Sequence, residues 1–186
     1  FVELIEPWVD SPPVHDVRLL QSHANRLGIL AMLTGEPALA RHHQEAVPSA
    51  DLGKTSGCAP NDSLGTDRIV GGYSYLSEGQ VRLAEELVRP AVASADAKFG
   101  RDHPAACMFA TILAAALYEQ NRLSDAAAVL ANRLDVLKRG GMAESVLSGF
   151  CTAAMLAAAE GRENRALDLL EVLNSIGVAR RLPRLS

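Results

Sequence analysis

PAACMFATILAAALYEQNRLSDAAAVLANRLDVLKRGG, residues 104–141, opens with an apolar run from Ala105 to Tyr118, 14 residues long and interrupted only by Thr111. The run is too short for a membrane span, which needs about 18–20 residues, and its length and alanine content are those of a buried helix. Asn121 follows, a residue type that tolerates the left-handed backbone in which helices commonly end. Beyond it, Ala126, Val129, Leu130, Leu134 and Leu137 recur at helical spacing and make one apolar face. Gly140-Gly141 then supplies a helix stop. The stretch predicts two antiparallel helices, over about 104–120 and 124–139, joined by a tight turn.

The same arrangement recurs along the chain. Each copy has an apolar stretch, a turn residue, then alanine five positions later: Gly35/Ala40, Gly79/Ala84, Asn121/Ala126 and Gly161/Ala166. The turn residues stand 44, 42 and 40 positions apart. Seven positions before each turn lies a Gly or Ala (Gly28, Gly72, Ala114, Ala154), where a small side chain lets helices touch. Four before it come Ala31, Tyr75, Leu117 and Ala157, and nine after it Gln44, Val88, Leu130 and Leu170. The reading is therefore all-α, with four helix pairs of about 40–44 residues at 16–47, 67–99, 104–139 and 143–177, in a single helical-repeat domain over 1–186. The last helix is expected to end at Ile176 before Gly177, with Ala166, Leu169, Leu170, Leu173 and Ile176 on one face. Residues 48–66, PSADLGKTSGCAPNDSLGT, have turn chemistry and no period, and read as a long mobile loop. FVELIEPWVDSPP before Val14 reads as the remnant of a preceding repeat, and the closing RLPRLS as the start of another helix. Both ends look cut, so the chain is expected to be a fragment of a longer cytoplasmic protein.

Composition narrows the function. Apolar residues make up 48% and aromatics 4%, which favours close-packed Ala/Leu helices over sheets. A net charge of −4 leaves no basic footprint for nucleic acid, and Arg180, Arg181 and Arg184 fit a helix end. Three cysteines, Cys58, Cys107 and Cys151, with no close pair, point to free thiols in a reducing compartment. The segment PSADLGKT imitates a phosphate-binding loop, but Pro48 stands where a glycine is required and no strand precedes it. His42 and His43 are adjacent, so on a helix they diverge by about 100°. His15, His23 and His103 keep no zinc spacing. The carboxylates, such as Glu85-Glu86 and Glu160/Glu163, sit on polar helix faces, and no nucleophile shares a strand–turn–helix context. The expectation is no catalysis, no metal, no cofactor and no membrane insertion.

The repeat resembles the tetratricopeptide repeat, although its period exceeds the 34 residues of that family and the tryptophan is missing. The resemblance implies a superhelix of antiparallel pairs, whose first helices line a concave groove. Carried over position by position, it places Ile29, Met32, Leu33, Ile69, Tyr73, Leu76, Met108, Thr111, Tyr118, Glu119, Ser148, Cys151 and Met155 on the inward side. Ile29, Met32, Tyr73, Met108, Tyr118, Glu119 and Met155 are the groove residues expected to touch a small-molecule effector or a protein partner. LAAALYEQNRLSDAAAVLANRLDVLKRGG and AEGRENRALDLLEVLNSIGVARRLPRL also resemble the helical-repeat region of large LuxR-family, MalT-like transcriptional regulators. That resemblance implies a signal-receiving, non-catalytic module, with DNA binding supplied by a C-terminal domain outside this sequence. The alternative is a protein–protein interaction scaffold unrelated to transcription.

Overall fold

The computed structural model describes residues 17–47 and 65–180. They form helices α1 (Val17–Thr34), α2 (Pro37–Glu45), α3 (Thr66–Ser77), α4 (Val81–Phe99), α5 (Pro104–Glu119), α6 (Leu123–Leu130), α7 (Leu134–Gly140), α8 (Ala143–Ala159) and α9 (Glu163–Arg180), with no strand among the described residues. The segment read as a loop lies outside the described residues up to Leu64, as do the first 16 residues and RLPRLS. The chain divides into two compact units, residues 1–80 and 81–186.

One backbone device ends each first helix. Gly35, Gly79, Asn121 and Gly161 have φ of 83°, 71°, 59° and 74°. There the residue after the turn donates its N–H to the carbonyl five positions back: Glu36 to Ala31, Gln80 to Tyr75, Arg122 to Leu117 and Arg162 to Ala157, all at 2.8–2.9 Å. The turn residue itself donates to the carbonyl three back, at 2.8–3.3 Å. This is the Schellman closure, which satisfies carbonyls that the helix end would otherwise orphan. The closing residue at once starts the next helix: Ala40, Ala126 and Ala166 donate to the carbonyls of Glu36, Arg122 and Arg162 at 3.0–3.1 Å. After Gly35 in the first unit, and after Asn121 and Gly161 in the second, two residues thus reverse the chain.

In the first unit α1, α2 and α3 pack on one another around Ala31, Ala40 and Val70. Gly28 permits the contact, since a Cβ there would lie 2.9 Å from Val70 Cγ1 and 2.8 Å from Gln44 Nε2. In the second unit α5 is central, touching α4, α6, α7 and α8, while α9 packs on α8. Cys107, Leu137, Val146, Phe150, Leu169 and Leu173 belong to its core.

Three expectations are corrected. The second helix of the third pair is not continuous over 124–139: it breaks at Ala131–Arg133, with Asn132 at φ 63°. The break carries Arg133 into the interior, 1% exposed, where it donates to both oxygens of Asp96 at 2.6 and 2.9 Å and to the Arg101 carbonyl at 3.2 Å. A buried cation needs such partners, and an uninterrupted helix would keep it outside. Second, α9 runs through Gly177 to Arg180, with Gly177 buried inside it. Third, Leu170 is 43% exposed and not on the buried face, and Ala166 is only half-buried where Ala40, Ala84 and Ala126 are fully enclosed.

Polar joints hold neighbouring pairs at an equivalent place, six residues after the turn. Arg41 pairs with Glu78 Oε2 at 2.7 Å, contacts Ser74 and lies 4.9 Å over the Tyr75 ring. Glu85 accepts from Arg89 Nε at 3.1 Å, Gln120 Nε2 at 2.7 Å and Arg122 Nη1 at 2.8 Å. In the third pair the equivalent residue is Ala127, while Glu160 and Arg162 pair with each other. Burial by itself would raise the Glu85 pKa, but the hydrogen bonds from Arg89, Gln120 and Arg122 and the Arg122 charge hold it at about 2.

Glu85→Gln should therefore cost about 1 kcal/mol near neutral pH, discounted for solvent screening, and lower Tm by roughly 3 °C. Because the folded pKa is depressed, the contribution is full above the unfolded value near 4.5 and is lost as pH falls toward about 2. Thermal melts of both proteins from pH 7 to 2 should show the gap closing only in that acid window; a gap independent of pH would sink the assignment.

Gly149→Val places a Cβ 2.9 Å from Leu137 Cδ1 and 3.0 Å from Thr111 Cγ2, both fully buried. Overpacking should outweigh the gain in helix propensity and destabilise the chain by about 2 kcal/mol, read as a lower urea midpoint. An unchanged midpoint would contradict this close approach of α8 to its neighbours.

Candidate partner-binding surface

The inward positions of the first helices are only partly open. In the first unit Ile29 and Met32 are half-buried and pack against the Ala31–Ala40–Val70 core. Tyr73 and Leu76 are half-buried, and Leu33 is exposed. Ile69 is buried, so it belongs to the core and not to a groove. In the second unit Thr111 is also withdrawn: it is fully enclosed, donates its hydroxyl to the Met108 carbonyl at 2.8 Å, and places its methyl where a Gly149 side chain would be. Met108 is half-buried against the Cys107–Phe150 core, and Cys151 packs there too.

What stays accessible on α5 and α8 is narrower than the sequence reading. Glu119 and Met155 are exposed, Met155 by 38%, and Tyr118, Ala115 and Ser148 are half-buried. This strip combines a polarizable thioether, a phenol and one carboxylate among small residues. Such a surface adapts its shape to a partner and offers few fixed hydrogen bonds.

A second feature has no counterpart in the sequence reading. Arg82, Glu85, Glu86, Arg89, Pro90 and Gln120 line a shallow cleft of about 380 Å³ on the N-terminal half of α4. Pro90 lies inside α4 and brings no N–H, so the Glu86 carbonyl lacks its i+4 donor there. A proline within an otherwise helical run, directly after two Arg and two Glu at helical spacing, is the signal that would have located it.

His42 and His43 rings lie 6.1 Å apart and tilted by 53°, and burial, with the charges of His42 and His23, holds the His43 pKa below the usual imidazole value. Among the described residues no three His, Cys, Asp or Glu side chains come together as metal ligands. Burial pushes the Cys107 and Cys151 thiols up, which leaves both protonated and poorly nucleophilic near neutral pH. Cys58, His15 and the imitation phosphate loop lie outside the described residues. No helix among the described residues is long and apolar enough to cross a membrane.

No known family's sequence profile matches the chain, and no curated protein matches it. Solved structures do. A repeat protein of Podosopora anserina assigned as a kinesin light chain, with nearly identical TPR-like repeats, superposes with a TM-score of 0.61 at 21% identity over 96% of this chain and 84% of its own. A second crystal structure with the same description gives 0.59 at 20% identity over 97% and 85%. At that identity the likeness speaks to fold alone, and with the all-helical described residues it establishes an all-α, tetratricopeptide-like repeat.

Proposed function

We propose that the chain is a non-catalytic protein-interaction scaffold, and that in its second unit the contact strip is the inward side of α5 and α8. One observation carries this: Met155 and Glu119 are exposed and Tyr118 half-buried on helices whose other large apolar residues are buried or half-buried. Tetratricopeptide-like folds bind protein partners. Free thiols at Cys107 and Cys151 fit a reducing compartment such as the cytoplasm.

A photo-crosslinking residue at position 155 or 118, expressed in the native host, should trap a discrete polypeptide, while the same residue at Arg139 on the far side of α7 should not. Met155→Glu should weaken capture of that polypeptide at least tenfold with an unchanged circular dichroism melt, about the 1–2 kcal/mol of an interface anchor. Equal trapping at 139 and 155 would overturn the strip.

The narrower reading, the signal-receiving region of a LuxR-family regulator, draws on the 40–44-residue spacing and on the two sequence stretches given above. It requires helix-turn-helix DNA-binding helices in the same reading frame, which sequencing the intact gene decides.

A further inference from the structure

Glu85 collects the donors around it. Arg89, Gln120 and Arg122 all donate to its carboxylate, the last two at 2.7 and 2.8 Å. The other charged pair of the α4 cleft, Arg82 and Glu86, is left over. The two stand four residues apart, a spacing at which opposite charges on a helix can meet. Here they do not. Among the described residues neither side chain has an ion-pair or hydrogen-bond partner.

Pro90 leaves a third group over. It stands in the interior of a 19-residue helix and deprives the Glu86 carbonyl of its i+4 N–H. Glu86 and Pro90 are both exposed, so a partner can reach that carbonyl. The proline weakens α4, and its exposed ring adds nothing to the core of the unit. Breaches of local helix rules of this kind fall mostly at functional sites. Along one side of α4 the cleft of about 380 Å³ therefore offers a guanidinium, a carboxylate, an open carbonyl and an apolar ring.

We propose that this cleft takes an arginine of a protein partner, together with an acidic residue one helical turn from that arginine. The planar fork donates to the Glu86 carboxylate and to the Glu86 carbonyl, while the apolar stem lies on Pro90. The chain uses the same fork internally, where Arg133 holds the Asp96 carboxylate and the Arg101 carbonyl together. A lysine, a single point charge, has no such fork. The partner's acidic residue meets Arg82. Opposite charges at both places fix the register and reject a partner with either sign reversed. This charged surface on α4 goes beyond the scaffold reading of α5 and α8 and does not depend on it.

The probe is an alanine-based helical peptide with Glu, Arg and Glu at successive four-residue spacings, which presents the pair in either direction. Titrated into the full 186-residue chain, it should shift the amide NMR signals between Arg82 and Arg89 saturably. Citrulline in place of the peptide's arginine, or Glu86→Gln in the chain, should each weaken binding about tenfold. Arg82→Gln should weaken it about threefold. Pro90→Ala is the sharper variant, because it returns an N–H to the Glu86 carbonyl. It should raise Tm by several degrees and yet weaken the peptide about threefold. All three side chains are exposed, so none of these variants threatens folding. Four results would each overturn the proposal: signals on α4 that do not move, a citrulline peptide that binds equally, affinity indifferent to Glu86→Gln or Pro90→Ala, or free arginine binding as tightly as the peptide.

Discussion

The left-handed residue between the two helices of each hairpin constrains everything built on it. An L-residue reaches positive φ only at a steric cost that glycine avoids and asparagine partly offsets. Gly35, Gly79, Asn121 and Gly161 accept that conformation, and the next residue's N–H closes back on the helix it has just left. With the reversal fixed within two residues, the helices lie too close for a large side chain early in the second one. Alanine five positions on follows as a packing consequence, and Ala40 and Ala126 have no exposed surface at all.

Between hairpins the constraint is looser, and the chemistry varies. An arginine joins the first pair to α3, a carboxylate joins α4 to the turn after α5, and an alanine stands at the third equivalent place. The third second-helix is also the one that breaks, with Arg133 turned inward to Asp96 on α4. The ion pair spans 37 residues of sequence, so it ties the break to the preceding pair and not to the hairpin in which it lies. Loss of the outer joint and gain of this inner one belong together: a straight helix would present Arg133 to solvent, and nothing at position 127 would compensate.

That contrast explains which parts of the molecule were legible in the sequence. The turns were, because backbone chirality restricts the residue type and the restriction repeats. The break at Ala131–Arg133 was not, since Leu130, Leu134 and Leu137 remain in phase across it and the cause is Asp96, far away in sequence. Gly177 was misread as a stop, because a glycine marks a helix end only when nothing packs against it; here it is buried in α9. The candidate strip was half legible. Met155 and Glu119 stand open, but Ile69 and Thr111 are buried, Thr111 because Gly149 lets α8 close over it. Gly28 brings Val70 of α3 to α1, and Gly149 brings Thr111 of α5 to α8. Positions transferred from a family carry its average helix spacing, and two local glycines change that spacing.

A narrower inward face shifts where recognition can reside. On the proposed scaffold reading, the groups a partner meets on α5 and α8 are Tyr118, Glu119 and Met155. Few groups then discriminate between partners: one carboxylate that favours a cation or a donor, one phenol with a polar tip, and a thioether that reshapes at little cost. Specificity from so few contacts is limited when each is considered alone. It rises when several segments of one partner bind in succession, since the second contact is made at the high effective concentration the first creates. A scaffold with a shallow strip therefore gains from length, and adding hairpins adds length without changing the hairpin itself. The repeat supplies the means, because each hairpin fixes its own geometry through its own turn and requires of its neighbour only a complementary face.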